Sequence, residues 1–269
     1  MTTETTTHTD FIPVLDRGYV RLVGSLGTDQ SIAQAAAVSY GKDKVEKTGE
    51  QVRRLLSYLI RHRHTSPFEQ AIVQLEIKCP IFVARQFHRH RTQSINEISA
   101  RYAELPDEWY TPTTWYEQST LNKQGSGKEL WNNGVYSEAY DAICDAAFDE
   151  YKDNISSYDM SREQARMILP VSTYTRYVTT MNLHNCLHFL KLRLDSHAQF
   201  EARQYAEAIW RFVQDLFPVT SMIWEDEVLN SVTLSGSEVK YLREFLTGHF
   251  TDEHLRQLAD TAAFRKIFA

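Results

Sequence analysis

The sequence predicts an α+β protein with one main domain, and three observations support this class. Residues 68–78 alternate between apolar and polar side chains, as a strand with one buried face does. Residues 171–180 are rich in β-branched and aromatic side chains, which favour strands. Several longer stretches repeat apolar residues at helical spacing, and no internal repeat or low-complexity linker divides the chain. Strands and helices are therefore expected to form a single folded unit.

In the first third of the chain, the patterns alternate between strand and helix. Residues 11–23 alternate loosely and predict one or two strands with a turn at Gly18. The alanine-rich residues 31–39 predict a helix, because alanine is the strongest helix former. Residues 46–62 repeat apolar side chains at helical spacing and predict an amphipathic helix. The strand at 68–78 follows this helix.

The rest of the chain predicts mainly helices. They cover residues 81–87, 129–157, 161–169, 182–194 and 198–216. The longest is predicted from apolar residues that include Val135 and Ile143, and Ser161 is expected to cap the helix that follows it. Residues 106–120 are predicted to be irregular, and the glycine-containing residues 121–128 are predicted to form a surface loop.

The two ends of the chain differ in composition from the central region. Residues 1–10 are polar and lack the apolar stretch of a signal peptide, so we expect a disordered tail. Residues 11–226 form the predicted domain. Residues 227–269 contain two capped helical patterns, at 235–246 and 252–260, and predict a helical C-terminal extension.

The charge balance argues against general binding of nucleic acid. The net charge is −6, and hydrophobic residues make up 42% of the chain, as in globular proteins. Cys79, Cys144 and Cys186 lie far apart without a CxxC pair, which predicts no disulfide framework and a reducing compartment. No apolar run approaches the length needed to span a membrane. We therefore expect a cytoplasmic protein that binds neither nucleic acid nor membrane.

One polar stretch, the arginine segment of residues 85–102, differs from this background. It concentrates arginines and histidines, namely Arg85, Arg89, Arg91, Arg101, His88 and His90. No helical or strand period runs cleanly through it, so it is expected to be a loop held by the rest of the fold. Guanidinium groups bind phosphate and carboxylate oxygens with paired N–H donors. Glu97 among these cations is expected to be ionised, and to orient an arginine or accept from a sugar hydroxyl or a ring N–H.

The arginine segment also resembles a family signature. Arg89-His90-Arg91, followed after seven residues by Ser99, is similar to the RHRx7S motif of the flavin-dependent thymidylate synthases. Other stretches resemble the same family in the same order, namely His64–Glu69, Pro80–Gln86, Arg166 before Leu169-Pro170, and Leu192–Gln199. The resemblance covers residues 14–224.

This resemblance implies a twisted sheet flanked by long helices, and the conversion of dUMP to dTMP. The one-carbon unit would come from 5,10-methylenetetrahydrofolate with release of tetrahydrofolate, and the reducing equivalents from NADPH through FAD. Because reduced flavin supplies hydride in this family, no cysteine nucleophile is needed. The family resemblance also implies a homotetramer whose subunits share the active sites.

The resemblance assigns residues to two of these ligands. Those assigned to dUMP are Gln86, Phe87, His88, Arg89, Glu97, Ile98, Ser99, Ala100, Arg101, Arg166 and Arg193. Those assigned to FAD are Ser66, Arg89, His90, Arg91, Glu97, Asn182, Leu183, His184 and His188. Arg193 is the candidate catalytic residue, since a guanidinium can stabilise negative charge that builds on a uracil carbonyl. Ser99 lacks an obvious paired base in the sequence and is interpreted as an orienting hydroxyl.

Histidine pairs raise the alternative of a metal site. The pairs are His62 with His64, His88 with His90, and His184 with His188. The H-x-H pairs lie among arginines, and the chain has no HExxH motif and no cysteine pair, so a cation there would be electrostatically unfavourable. No metal is expected.

Two other functions remain open from the residues alone. The arginines, with Phe87 and Tyr102, could grip a single nucleic-acid strand by charge and stacking, which would make the chain a nucleotide- or RNA-binding module. The acidic net charge counts against this alternative. A flavin- or metal-dependent oxidoreductase with another substrate is the second alternative, and a requirement for dUMP would exclude it.

Overall fold

Helices and strands alternate along the chain in the computed structural model, which describes residues 11–39, 41, 47–120 and 125–249. The strands are β1 Phe11–Val14, β2 Gly18–Leu26, β3 Ile72–Pro80, β4 Ser94–Glu97, β5 Tyr116–Gln118, β6 Ser126–Glu129 and β7 Tyr174–Asn182. The α-helices are α1 Asp29–Val38, α2 Gly49–Arg61, α3 Ile81–Phe87, α4 Asn133–Ser156, α5 Arg162–Ala165, α6 Leu183–Arg193, α7 Phe200–Leu216, α8 Pro218–Trp224 and α9 Gly236–His249. Single turns of 3-10 helix lie at Phe68–Gln70 and Arg166–Ile168, and a π-helical turn at Glu225–Leu229. The predicted α+β class is confirmed.

The main sheet has the strand order β1-β2-β3-β7-β4, and all neighbouring strands are antiparallel. Val73, Leu75 and Ile77 of β3 are almost fully buried, so the predicted buried face of this strand is confirmed. The strand begins at Ile72 rather than Phe68, because a 3-10 turn occupies residues 68–70. Helices α3 and α6 contact β3 and β7, and α7 contacts β1 and β2.

The amphipathic helix predicted over residues 46–62 is confirmed as α2. Val52, Leu56 and Leu59 form its buried face, at the expected helical spacing. The helix begins after Thr48, where the Thr48 hydroxyl accepts from the Gln51 amide and the Gln51 side chain accepts from the Thr48 amide. This capping box satisfies two backbone donors and sets the start of the helix.

Two regions predicted to be irregular contain strands. Within the arginine segment, β4 pairs with β7, so that Glu97 lies opposite Tyr177. In the region predicted as irregular structure and a surface loop, β5 and β6 form a two-stranded sheet. Neither prediction was correct for these residues. Their conformation depends on pairing with a neighbouring strand, and their side chains show no alternation of buried and exposed positions that the sequence could reveal. Residues 121–124 of the predicted loop lie outside the described residues.

The long helix predicted over residues 129–157 is confirmed as α4, but its buried face differs from the predicted pattern. Val135 and Ile143 are more than half exposed, whereas Tyr151, which also belongs to the predicted pattern, is buried together with Cys144 and Phe148. The predicted cap at Ser161 is wrong in detail, because its hydroxyl donates to the Gln164 side chain and makes no capping bond to the backbone.

The predicted helices over residues 31–39, 81–87 and 198–216 are confirmed, within two residues at each end, as α1, α3 and α7. The helix predicted over residues 182–194 is observed as α6, but Asn182 lies outside it. Asn182 ends β7 and caps α6, since its side-chain oxygen accepts from the Asn185 amide at 2.9 Å.

The chain divides into two compact units, Met1–Glu227 and Val228–Ala269. In the second unit, α9 confirms the helix predicted at 235–246 and extends it to His249. The predicted tail at residues 1–10 and the predicted helix at 252–260 lie outside the described residues. Among the helices that the structure describes, none combines the length and the apolar character needed to cross a bilayer.

Gly18 is required by close packing at the start of β2. The predicted turn lies before it, at residues 15–17, where Leu15 has a φ of 57°. A Cβ atom on Gly18 would lie 1.8 Å from the Tyr205 hydroxyl oxygen and 2.8 Å from the carbonyl oxygens of Val14 and Lys78. Neither the two backbone carbonyls nor the buried tyrosine can move away without distorting the sheet.

Gly18→Ala is therefore expected to lower the free energy of unfolding by about 2–3 kcal/mol or more, as overpacking of a rigid core does. Urea unfolding of both proteins measures the change. Gly134→Ala is the matched control, because a Cβ atom there meets nothing within 4 Å. If Gly18→Ala lowers the free energy of unfolding no more than Gly134→Ala does, the sheet can accommodate a Cβ atom at residue 18.

Candidate active site

The arginine segment begins in the last turn of α3 and contains β4, the edge strand of the main sheet. It leaves α3 through a turn in which the His90 amide donates to the Phe87 carbonyl at 3.0 Å. It then pairs as β4 with β7, and ends in a further turn in which the Tyr102 amide donates to the Ser99 carbonyl at 2.9 Å. Most of its polar side chains lie at the surface, but the backbone is anchored on both sides.

A cavity of about 340 Å³ opens beside the second half of the segment. Its lining consists of Ile81, Glu97, Ile98, Ser99, Ala100, Leu105, Arg166, Leu169 and Thr175. Five of these, Glu97, Ile98, Ser99, Ala100 and Arg166, belong to the set that the family resemblance assigns to dUMP. A cavity with apolar walls, one carboxylate, hydroxyls and a guanidinium suits a small anionic ligand with a planar ring.

Glu97 is held in this cavity by a residue that the sequence analysis did not single out. The Thr175 hydroxyl donates to the Glu97 Oε1 atom at 2.5 Å, and Thr175 is 4% exposed on β7. One carboxylate oxygen is therefore fixed by the fold, and the other can accept from a ligand. The alternation of β7 does place Thr175 on the buried face, but only the structure shows that it meets Glu97.

Two arginines share one acidic neighbour at this end of the segment. Arg101 forms an ion pair with Glu163, with 3.4 Å between Nε and Oε2, and the Arg166 Nε atom donates to the Glu163 carbonyl oxygen at 3.4 Å. Both arginines are exposed, so the ion pair is weak and a stronger anion can displace it. Arg101 itself does not line the cavity.

A second group of site residues forms around Arg193, in the last turn of α6. The Arg193 Nε atom donates to the His90 Nε2 atom at 3.0 Å, and its Nη2 atom donates to the Gln86 carbonyl oxygen at 3.1 Å. The remaining guanidinium N–H groups make no hydrogen bond with any residue that the structure describes. Burial lowers the pKa of Arg193 from its ordinary value, but a guanidinium stays charged at neutral pH. The structure therefore presents a positioned cation with unused donors.

His90 is neutral in this arrangement. Burial, then the charge of Arg193, then His188, lower the pKa of His90 from 6.5 to about 4. Because Nε2 accepts from Arg193, the proton of the neutral ring lies on Nδ1. The ring also lies 4.9 Å from the Phe189 ring and 6.3 Å from the His188 ring, measured between centroids.

The imidazole of His90 is expected to titrate near pH 4, which NMR of carbon-labelled histidines can measure. The unfolded chain binds more protons than the folded chain between pH 4 and 6.5, so His90 lowers the stability of the fold as the pH falls through this window. His90→Gln identifies the signal. In Arg193→Gln the pKa should rise but stay below 6.5, because burial remains its largest cause. A wild-type titration at the ordinary value would contradict both the burial of His90 and its contact with Arg193.

The remaining residues assigned by the resemblance fall into exposed and buried groups. Ser66, Arg89, Arg91 and His188 are exposed, and His184 and Asn182 are half-buried. Phe87 and Leu183 are buried in the core, so only their backbone atoms can face a ligand. His88 stacks edge-on against Tyr177, and its buried Nε2 atom has no hydrogen-bond partner among the described residues.

The exposed and half-buried side chains fit the chemistry of FAD. Neither Arg89 nor Arg91 forms an ion pair with any residue that the structure describes, so both can neutralise a diphosphate. The Asn182 oxygen is used in capping α6, which leaves its amide N–H groups for a ligand. In the described ranges, no group of three or more His, Cys, Asp or Glu side chains is arranged to hold a metal ion.

Comparison with known proteins identifies the family. Residues 21–219 match the family described as thymidylate synthase complementing protein. The chain is 43% identical over 247 residues to a flavin-dependent thymidylate synthase of Thermus thermophilus, covering 92% of this chain and 90% of that protein. It is 42% identical over 243 residues to that of Ruegeria pomeroyi, covering 88% and 80%. A solved structure of the UMP/dUMP methylase PolB from Streptomyces cacaoi, bound with 5-Br dUMP, matches with a TM-score of 0.73 and 33% identity over 80% of this chain and 97% of that chain. The chain therefore belongs to the flavin-dependent thymidylate synthases.

Proposed function

We propose that this chain converts dUMP to dTMP, with 5,10-methylenetetrahydrofolate as carbon donor and FAD reduced by NADPH as hydride donor, releasing tetrahydrofolate. The observation that carries the proposal is the cavity in which Glu97, Ser99 and Arg166 converge beside the arginine segment. Membership of the family supports the reaction. The Streptomyces cacaoi neighbour, a UMP/dUMP methylase bound with 5-Br dUMP, supports a uridine nucleotide as the substrate.

In this proposal the cavity binds dUMP. Arg166 and Arg101 supply positive charge for the phosphate, and a phosphate dianion would compete with Glu163 for both. The free oxygen of Glu97 accepts from a sugar hydroxyl or a ring N–H, while Thr175 keeps the carboxylate in place. Ser99 orients the substrate with its hydroxyl.

Arg193 acts on the pyrimidine. Its unused N–H groups would stabilise the negative charge that develops on a uracil carbonyl as hydride reaches the ring. The hydrogen bonds to His90 and Gln86 fix the guanidinium before the substrate binds, so little reorganisation is needed during the reaction. A neutral His90 does not repel this cation, which is why its low pKa matters for the site.

FAD would be held by Arg89 and Arg91 at its diphosphate and by the neutral His90 and the Asn182 amide at its polar ring edges. When bound and reduced, this group supplies the hydride. A cysteine nucleophile is not required, and the thiols are unsuited to the role. Cys79, Cys144 and Cys186 are buried, and burial raises the pKa of each, that of Cys186 to about 12.

The proposal includes a homotetramer in the cytoplasm. Several residues assigned to FAD, including Arg89, Arg91 and Ser66, are exposed on one chain, and a neighbouring subunit would close over them. Free and buried thiols are typical of proteins in a reducing compartment. Light scattering of the purified protein tests the tetramer, and a monomer at assay concentration would contradict it.

The function is tested by measuring dTMP formation with dUMP, methylenetetrahydrofolate, NADPH and FAD, each left out in turn. The proposal predicts product only when all four are present. NADPH oxidation without dTMP formation would favour the alternative of a flavin oxidoreductase that acts on another substrate. Absence of both flavin binding and product would favour the nucleic-acid-binding alternative, whose affinity should fall steeply as salt is added.

A further inference from the structure

Gln93 binds three groups that belong to different parts of the fold. Its Nε2 atom donates to the carbonyl oxygens of Phe87 and His90, each at 2.9 Å. Its Oε1 atom accepts from the Thr179 hydroxyl at 2.7 Å. The side chain is half-buried, and neither the sequence analysis nor the family resemblance gave it a role.

The two carbonyl groups are the two ends of one turn. The His90 amide donates to the Phe87 carbonyl at 3.0 Å, which closes the turn, and Arg89 lies inside it. By donating to both ends, Gln93 restrains the turn that carries the first arginine and the histidine of the signature. Loss of the Gln93 amide would leave these carbonyls without this donor and the turn free to open.

Thr179 connects this turn to a buried position in the main sheet. It is 1% exposed on β7, where it lies opposite Leu75 of β3 and Ile95 of β4. The position of Gln93 is therefore set by the central strands rather than by the surface loop.

The same turn is held from its other side by α6. Arg193 donates to the Gln86 carbonyl at 3.1 Å and to the His90 ring at 3.0 Å. The turn thus lies between β7, which acts through Gln93, and α6, which acts through Arg193. A movement of the turn away from α6 would separate His90 from Arg193.

We infer that Gln93 and Thr179 form a positioning pair, which holds Arg89 and His90 in place relative to Arg193 without touching a ligand. The inference rests on the proposed function, because that function makes Arg89, His90 and Arg193 part of a cofactor and substrate site. The geometry itself does not depend on it, because the contacts join protein atoms only. The competing explanation is that Gln93 only adds stability.

The chain offers a matched control for this pair. The Gln74 Nε2 atom donates to the Thr180 hydroxyl at 3.0 Å, which joins β3 to β7 next to Thr179 in sequence. Thr180 lies on the opposite face of β7 from Thr179, because successive strand residues alternate between faces. Gln74→Ala therefore removes a glutamine–threonine hydrogen bond from the same sheet, while the hydrogen bonds of Gln93 to Phe87, His90 and Thr179 stay in place.

Three readouts separate positioning from stability in the variants Gln93→Ala, Gln93→Glu, Thr179→Val and Thr179→Ser. They are the melting temperature, FAD affinity from quenching of flavin fluorescence, and the NMR titration of His90. We expect Gln93→Ala to weaken FAD binding by about 10-fold or more, the equivalent of one or two hydrogen bonds. The pKa of His90 should rise from about 4 as the contact with Arg193 loosens.

The other variants give a graded series. Gln93→Glu keeps the shape but loses both donors, so it should resemble Gln93→Ala. Thr179→Val should have a smaller effect in the same direction, and Thr179→Ser, which keeps the hydroxyl, should stay within about 3-fold of the wild type. Gln74→Ala should change only the melting temperature.

The inference is overturned if Gln93→Ala and Thr179→Val keep the wild-type FAD affinity and His90 titration and differ only in melting temperature, as Gln74→Ala does. If Gln93→Ala does not fold, the contrast between Thr179→Val and Thr179→Ser still decides the question. A wild-type protein that makes no dTMP would reject the proposed function instead. The His90 titration would then still test the positioning pair, since it needs no substrate.

Discussion

Replacing Arg193 with alanine is expected to lower the turnover for dTMP formation by about 10²- to 10³-fold, the loss that follows when one preorganised donor to a developing negative charge is removed. The side chain is half-buried and fixed by His90 and Gln86, with further N–H groups unused by the described residues. Because the charge on the pyrimidine develops during the reaction, the effect should fall on kcat more than on the KM for dUMP. FAD should still bind, with a lower affinity, because Arg193 also holds the turn that carries Arg89 and His90.

Two further variants define the result for Arg193. Arg193→Lys keeps the positive charge but lacks the planar guanidinium, which contacts His90 and Gln86 through separate nitrogen atoms and leaves further N–H groups for the substrate, so it should recover only a small part of the activity. Lys191→Ala removes an exposed cation from the same turn of α6 and should leave turnover unchanged. Wild-type turnover in Arg193→Ala would exclude this arginine from the chemistry.

Arg91→Ala is expected to weaken FAD binding by about 10- to 100-fold, the contribution of one charge-assisted hydrogen bond to a phosphate. Arg91 is exposed and forms no ion pair with any residue in the described ranges, so its removal breaks no ion pair of the fold. The melting temperature should therefore stay close to that of the wild type. Fluorescence titration of the flavin-free protein with FAD measures the affinity directly.

Arg53→Ala is the control for Arg91→Ala, because it removes an equal charge from an exposed position on α2. A general electrostatic effect would weaken FAD binding in both variants and would disappear at high salt. Unchanged FAD affinity in Arg91→Ala would remove this residue from the cofactor site. An effect confined to Arg91→Ala and resistant to salt would support a specific contact.

Much of the fold was predictable where one face of an element is buried. In β3 the alternation of Val73, Leu75 and Ile77 with polar neighbours reports the buried face directly. The same holds for α2, whose buried residues recur at helical spacing. The strand β4 was not predictable, since its polar residues adopt an extended conformation only because the edge of β7 offers hydrogen bonds.

For the candidate site, residue types and motif spacing pointed to the right neighbourhood but not to the contacts. The resemblance indicated Glu97, Ser99 and Arg166, and the structure brings these three to one cavity. It also indicated His90 and Arg193 without the hydrogen bond that joins them. Thr175 and Thr179 gave no functional signal, because buried threonines on a strand are ordinary sheet residues.

The sequence by itself determined the α+β class, the family and the segment that carries the site, because composition, periodicity and a local motif can all be read along the chain. The tertiary structure decided which side chains meet. Thr175 reaches Glu97 from 78 residues away, Thr179 reaches Gln93 from 86, and Arg193 reaches His90 from 103. Contacts at such separations depend on how the sheet and α6 pack together, and this packing sets the low pKa of His90 and the place of the Arg193 charge.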